Sequence, residues 1–437
     1  MIDSERFKLL EFLSSVILFY QAKSLSTEEY NMSKYIERKL LTGCSVVHMV
    51  NDGSEVVIAA LLPLIAQEFL LSYFQIGVLL ASYLLILGIF QVLFGYLSEK
   101  FSEKILLSIG LGIVMISSFL ISQTQTFSAL FTFNCMAGIG ASTFHPANFT
   151  LVSRVYEGNV HRDKVMGIIA GVGDLGVLIA FFSNGFIGQF FGWRLAFLIW
   201  GVLAVLAIII HTILSRNSSY VCSNNNSSNT HSKSDENKPS SYSSKVKWGL
   251  VLILALNFCI GAAYRTYLAF TPLFLTTTKG FSTAIADSIM SIMIAVGVIS
   301  ISLSGFIFKK YGKRKIELLT LLVLGVVSIL FAFVQTTVAI ILLLLIVGFS
   351  LYIMYPIVLT LVADLTHFEK RGRSYGYFMS ISWIGGAFSS FLNGFLSEIF
   401  GLFIIYIVVA VIMLLCIGLV ALSSSDLWSR KVNEVEN

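Results

Sequence analysis

The chain has 437 residues, 56% hydrophobic and only 12% charged, with a formal net charge of +5. A soluble chain carries about 25% charged residues, so this composition, with 36 Phe and a mean hydropathy of +0.85, excludes a soluble globular body and predicts a polytopic helical membrane protein. The basic surplus lies in short connections, where it reports topology rather than nucleic-acid binding, and five cysteines without a CxxC pair form no zinc or disulfide framework.

Residues 1–41 form an amino-terminal extension. Leu9, Leu10, Leu13, Val16, Ile17 and Tyr20 have helical spacing, but the run is short for a span. It reads as an interfacial helix or as an extension ahead of a true start at Met32, with a cleaved signal peptide the weaker reading. Apolar segments long enough to cross a bilayer then follow at 42–67, 73–97, 104–122, 128–153, 165–190 and 194–214. A Ser/Asn-rich stretch at 217–247 divides the chain, and spans resume at 248–275, 283–308, 316–336, 338–363, 374–398 and 401–422. The expected architecture is therefore all-α, with twelve transmembrane helices in two bundles, 42–216 and 248–424, and a tail at 425–437.

The first span carries His48, Asn51, Asp52 and Glu55 on one helical stripe, and ionisable groups in hydrocarbon usually have a partner or a job. They are candidates for a proton taken up on one side and released on the other, or for hydrogen bonds that fix packing. In the fourth span His145 precedes Pro146, with Asn148 one turn on; His145 could relay protons or serve as a packing group. Asp174 is a further acid, on a fifth span thinned by glycines for close packing. Arg265 falls near the middle of the seventh span between Tyr264 and Tyr267, where its guanidinium needs either Asp52/Glu55 or an anionic substrate. Tyr355 and Trp383 complete the set of candidate substrate contacts.

Lysine and arginine set the orientation. With the start inside, only Arg194 and Lys279 fall in outer loops and Arg265 within a span, while every other of the 29 basic residues is cytoplasmic. Both termini are expected in the cytoplasm and the protein in the plasma membrane.

The halves are related by a repeat. An offset of 210 carries Gly95 to Gly305, Gly138 to Gly348 and Pro146 to Pro356; an offset of 209 carries Pro63 to Pro272, Gly167 to Gly376, Gly176 to Gly385, Asn184-Gly185 to Asn393-Gly394 and Gly192 to Gly401. Helix breakers matched in this way indicate two six-helix units in parallel repeat. Glu99 corresponds to Lys309, and Arg154 to Asp364, with both signs exchanged. The expected gate is thus a pair of cytoplasmic ion pairs, Glu99–Arg154 and Lys309 (or Lys310)–Asp364.

Gly95-Tyr96-Leu97-Ser98-Glu99-Lys100 with Lys104 resembles the loop signature of the major facilitator superfamily, and Gly305 through Arg314 its degenerate copy. Gly192-Trp193-Arg194-Leu195-Ala196-Phe197 resembles that superfamily's outer loop between helices five and six. His48-Met49-Val50-Asn51-Asp52 and Phe144-His145-Pro146 resemble the fosmidomycin-resistance type of exporter. Asn134 stands where many drug/proton exporters carry arginine. The resemblance covers about residues 42–424 and implies that helices one and seven line a central cavity, so that acid and base face each other.

The expected function is a monomeric secondary transporter working by alternating access. It would move a small polar, anionic or amphiphilic molecule outward, with protons as coupling ion and no cofactor or metal. An uptake carrier for a small organic anion, or a receptor or scaffold of the same fold, is the alternative. No Walker motif supports ATP-driven transport, and no nucleophile constellation supports an enzyme.

Overall fold

The computed structural model describes residues 32–98, 100–155, 162–216, 244–365, 371–423 and 425–428. These run as α1 (Met32–Phe69), α2 (Tyr73–Ser98), α3 (Glu103–Ser122), α4 (Phe127–Ala141), α5 (Phe144–Val155), α6 (Arg162–Phe191), α7 (Trp193–Ser215), α8 (Ser244–Thr277), α9 (Thr283–Tyr311), α10 (Lys313–Phe333), α11 (Thr337–Leu365), α12 (Arg371–Phe400) and α13 (Ile404–Leu422), with a 3-10 turn at Ser425–Trp428. The interfacial helix expected near the amino terminus and nearly all of the linker lie outside the described residues. α1 begins at Met32, well before the expected residue 42.

Among the described residues, eleven segments are long and apolar enough to cross a membrane, α4 and α5 counting together over Phe127–Val152. The remaining expected span forms as α12, a helix diluted by Ser380, Ser382, Ser389, Ser390 and Asn393. Those polar groups face protein: the Ser389 hydroxyl donates to the Ala262 carbonyl (3.0 Å) and the Asn393 amide to Thr266 Oγ1 (2.8 Å). A helix that spends its polarity on neighbours loses the hydropathy of a lipid-facing one.

The fourth span is not continuous. It breaks at Ser142–Thr143, and Pro146 falls in the first turn of α5, where a missing N–H costs nothing. Its ring would otherwise meet the carbonyl of Ser142, four residues back. The hydroxyls of Ser142 and Thr143 instead fold onto the Ile139 and Gly140 carbonyls at 2.6 and 2.9 Å.

The packing of α1–α7 is repeated in α8–α13. α1 packs on α6 as α8 packs on α12, and α3 on α7 as α10 on α13. Glycines at equivalent positions permit it. A Cβ on Gly176 would lie 2.0 Å from the Met49 carbonyl oxygen, and one on Gly385 would lie 2.2 Å from that of Phe258. The halves meet along α2 against α12, α6 against α9, and α1 against α8. The first two seams close the end of the bundle that carries the 70–72 turn. Gly77 meets Gly394 backbone to backbone there, and Gly185 meets Asp287. At that end Arg194 ties α7 to α1 through Glu68 (2.7 Å) and to the α3 terminus through the Thr124 carbonyl (2.8 Å). Nearby, Lys279 donates to the Val334 carbonyl (2.7 Å), and its partial burial lowers its pKa. Leu85, Ile89, Ile299, Leu303, Phe306 and Phe388 are exposed, the apolar girdle a lipid-facing surface requires.

Candidate substrate and coupling site

The stripe on α1 is a connected network. Asn51 is buried, and its amide donates to Asp52 Oδ1 and to Glu55 Oε1, both at 3.1 Å. One turn back, His48 Nε2 lies 2.9 Å from Asp52 Oδ2, the i, i+4 spacing that places both on one face. The His48 ring stacks on Phe144 at the start of α5 (4.5 Å) and meets His145 edge-on at 5.6 Å. This cluster reaches α6 because residue 173 is glycine: a Cβ there would sit 2.3 Å from Asp52 Oδ2 and 2.7 Å from His48 Nε2.

Arg265 faces the stripe from α8. Its Nη2 lies 3.9 Å from Glu55 Oε2, with the Arg265 and Glu55 side chains 16% and 4% exposed. The guanidinium lies over the Trp383 ring at 3.5 Å and near that of Tyr264 at 5.4 Å. Cation–π contact holds a partly desolvated guanidinium while leaving its in-plane donors free for an anion. Gly386 makes the room, since a Cβ there would meet Arg265 Cγ at 2.5 Å. Acid and base therefore oppose each other across the seam between halves, at a spacing that permits direct attraction.

Other expected residues divide. Asp174 lies within electrostatic range of Asp52, Tyr264 and Tyr352. The Tyr264 hydroxyl donates to Tyr352 Oη at 3.1 Å, and His145 lies 6.2 Å from the Trp383 ring, ring to ring. Tyr355 donates to Met379 Sδ (2.8 Å). Tyr267, expected among the substrate contacts, points the other way. Two residues from Arg265 means about 200° around the helix; Tyr267 is fully buried, bonded to Ser328 (2.8 Å) and packed on Tyr406. Asn148 is also sealed from any open surface, with neither amide atom bonded among the described residues.

Of the expected gate, Gly95 lies against Pro146, Lys100 Nζ sits over the Tyr96 ring (4.4 Å), Gly305 borders open space and Lys309 is exposed. Glu99 and the Arg154 and Asp364 side chains lie outside the described residues, and both expected ion pairs with them.

Sequence reasoning missed Tyr352 and Gly386, and read Gly173 only as one of the close-packing glycines around Asp174. Gly386 gave no local signal, because what it accommodates comes from another helix. The donor atoms of His48, Asp52 and His145 lie within 4.8 Å of one another, a spacing that could hold a metal ion. Two of the three are already bonded to each other, and the Arg265 charge acts on the third.

The family model described as Major Facilitator Superfamily matches residues 44–390. The chain is 29% identical over 159 residues to riboflavin transporter RibZ of Clostridioides difficile (36% of this chain, 34% of the relative). It is 30% identical over 122 residues to the fosmidomycin resistance protein of Escherichia coli (28% and 30%). It thus spans about a third of each of those relatives. A longer alignment, 23% identical over 364 residues, joins it to the hexuronate transporter of Bacillus subtilis (80% and 85%). In fold it is similar to a bacterial homologue of the human lysosomal transporter Spinster, in an inward-facing and occupied conformation, with a TM-score of 0.71 and 17% identity (88% of this chain, 96% of that chain).

Proposed function

We propose, since the chain belongs to the Major Facilitator Superfamily, that it is a secondary carrier for a small anionic or amphiphilic molecule. The observation that carries this is Arg265 opposite Glu55 across the seam, one charge from each half. In the empty carrier Arg265 is held by the acid stripe and by Trp383. A substrate bearing carboxylate, phosphate or phosphonate takes over the guanidinium, and a proton on the stripe compensates the displaced acid. Each exchange changes what holds the halves together, and so shifts the balance between carriers open to one side and to the other.

Outward movement coupled to inward protons is the direction favoured by the fosmidomycin-resistance resemblance. The basic-residue bias supports a plasma-membrane carrier with both termini in the cytoplasm. Under that orientation the closed 70–72 end faces outward.

Counterflow in proteoliposomes tests the reading, because only a carrier exchanges labelled substrate across a sealed membrane. Organic phosphonates and carboxylates are the first compounds to try. Wild-type exchange in Arg265→Lys, together with wild-type pH-driven uptake in Asp52→Asn, would end the proposed site. An absence of counterflow with every anionic class would favour a receptor or scaffold.

A further inference from the structure

α2 and α9 begin at the closed end with matching first turns. Ser72 Oγ accepts from the Gln75 amide (3.2 Å) and Ser282 Oγ from the Ile285 amide (3.4 Å). Each turn has a second amide whose acceptor comes from the other half. The Phe74 N–H donates to Glu398 Oε2 of α12 (3.1 Å), and the Ala284 N–H donates to Gln189 Oε1 of α6 (2.9 Å). The repeat relates both bonds: an offset of 210 carries Phe74 to Ala284, and 209 carries Gln189 to Glu398. About one turn further in, the same offsets carry the Gly77–Gly394 contact onto Asp287–Gly185.

The two seams are therefore twins with one difference. Gly77 and Gly394 meet through backbone alone, whereas Asp287 puts a carboxyl into the other seam. That residue is fully buried, and neither oxygen has a hydrogen-bond partner among the described residues.

We infer that Glu398 and Gln189 are the closing residues of the gate at this end, each capping a helix of the opposite half, and that Asp287 is the built-in weak point of one seam. The inference rests on the carrier reading for its place in the cycle. A first-turn amide needs an acceptor from somewhere. With the halves together it comes from the partner half; with them apart it comes from water, so the latch is reversible and cheap to release. Solvent has space to take over at one latch already: a cavity of about 490 Å³ between the halves is lined by Gln67, Tyr73, Thr276, Thr277, Thr283 and Glu398. A carboxyl without a partner penalises closure of its own seam, and the glycine twin carries no such penalty. The α6–α9 seam thus holds the closed gate less tightly than its twin, and the two part together.

Hydrogen–deuterium exchange of the full chain in nanodiscs tests this without substrate. Glu398→Ala should raise exchange about fivefold in 73–77, the ordinary worth of a lost cap, and should raise 283–287 as well, because the gate opens as a unit. Gln189→Ala should do the same in reverse. Glu398→Gln keeps an acceptor and should match wild type, while Asp287→Ala should slow exchange in both segments. Exchange raised only beside the altered residue, or nowhere, overturns the inference. Should the alanine variants fail to fold, the swapped pair Gln189→Glu with Glu398→Gln still decides: it keeps both acceptors, and raised exchange in it overturns the inference. None of these outcomes bears on counterflow, so failure here leaves the carrier reading standing.

Discussion

Replacing Glu55 and Arg265 by glutamine, singly and together, measures what holds the two halves at mid-depth. At 3.9 Å, and with an effective dielectric of about 20, the pair attracts by at most about 4 kcal/mol, the value for Glu55 fully ionised. Desolvation offsets part of that gain, while removing one partner strands the other at a cost of about 3–5 kcal/mol. Arg265→Gln also forfeits the Trp383 contact, about 1–2 kcal/mol for a desolvated cation over an indole. Each single variant should therefore lose several kcal/mol. The double variant should lose less than their sum, with a coupling of about 2–4 kcal/mol. Reversible unfolding in mixed detergent micelles supplies all four corners of the cycle. Additive losses, with coupling below about 0.5 kcal/mol, would show that the charges do not hold each other and would remove the exchange mechanism.

Asp52→Asn keeps the shape of the α1 network but removes the ionisable group beside His48; it should abolish pH-driven uptake into inverted vesicles while leaving counterflow within about tenfold of wild type. Equal loss of both would make Asp52 a structural residue. Gly176→Ala should separate α1 from α6 and cost about 3 kcal/mol or more, since its methyl would lie 2.0 Å from the Met49 carbonyl. Gly167→Ala, with nothing within 4 Å on the same helix, should instead stabilise by about 0.5–1 kcal/mol; thermal unfolding in detergent compares the two. Arg194→Ala loses a half-exposed pair with Glu68 and a carbonyl contact, so a loss near 1 kcal/mol is expected, and one above about 3 kcal/mol would mean that the tie bears more of the fold than its exposure suggests.

The spans and the repeat were legible because each follows from local chemistry: run length, charge placement and helix breakers survive in the residues themselves. The acid stripe was legible for the same reason, as were Arg265 and Trp383 as isolated oddities. Partnership was harder to read. Tyr267 sits two residues from Arg265, and its direction follows from helical rotation, but which direction is the seam depends on how α8 packs on α10, α11 and α13. Gly173 was legible as a close-packing glycine but not as the seat of the His48–Asp52 pair, and Gly386 carried no signal, because what each accommodates comes from another helix. Asp287 lies at the seam beside Gly185, a partner visible only once the repeat is folded.

The interruption at Ser142–Thr143 places the start of a short helix at mid-depth, where an unbroken rod would show only satisfied peptide bonds. A helix start carries roughly half a positive elementary charge, and this one begins beside the ring of His48. Because α4 ends directly before it, the two helix termini offset each other, and the break leaves local peptide dipoles beside His48 rather than a net field of the whole helix.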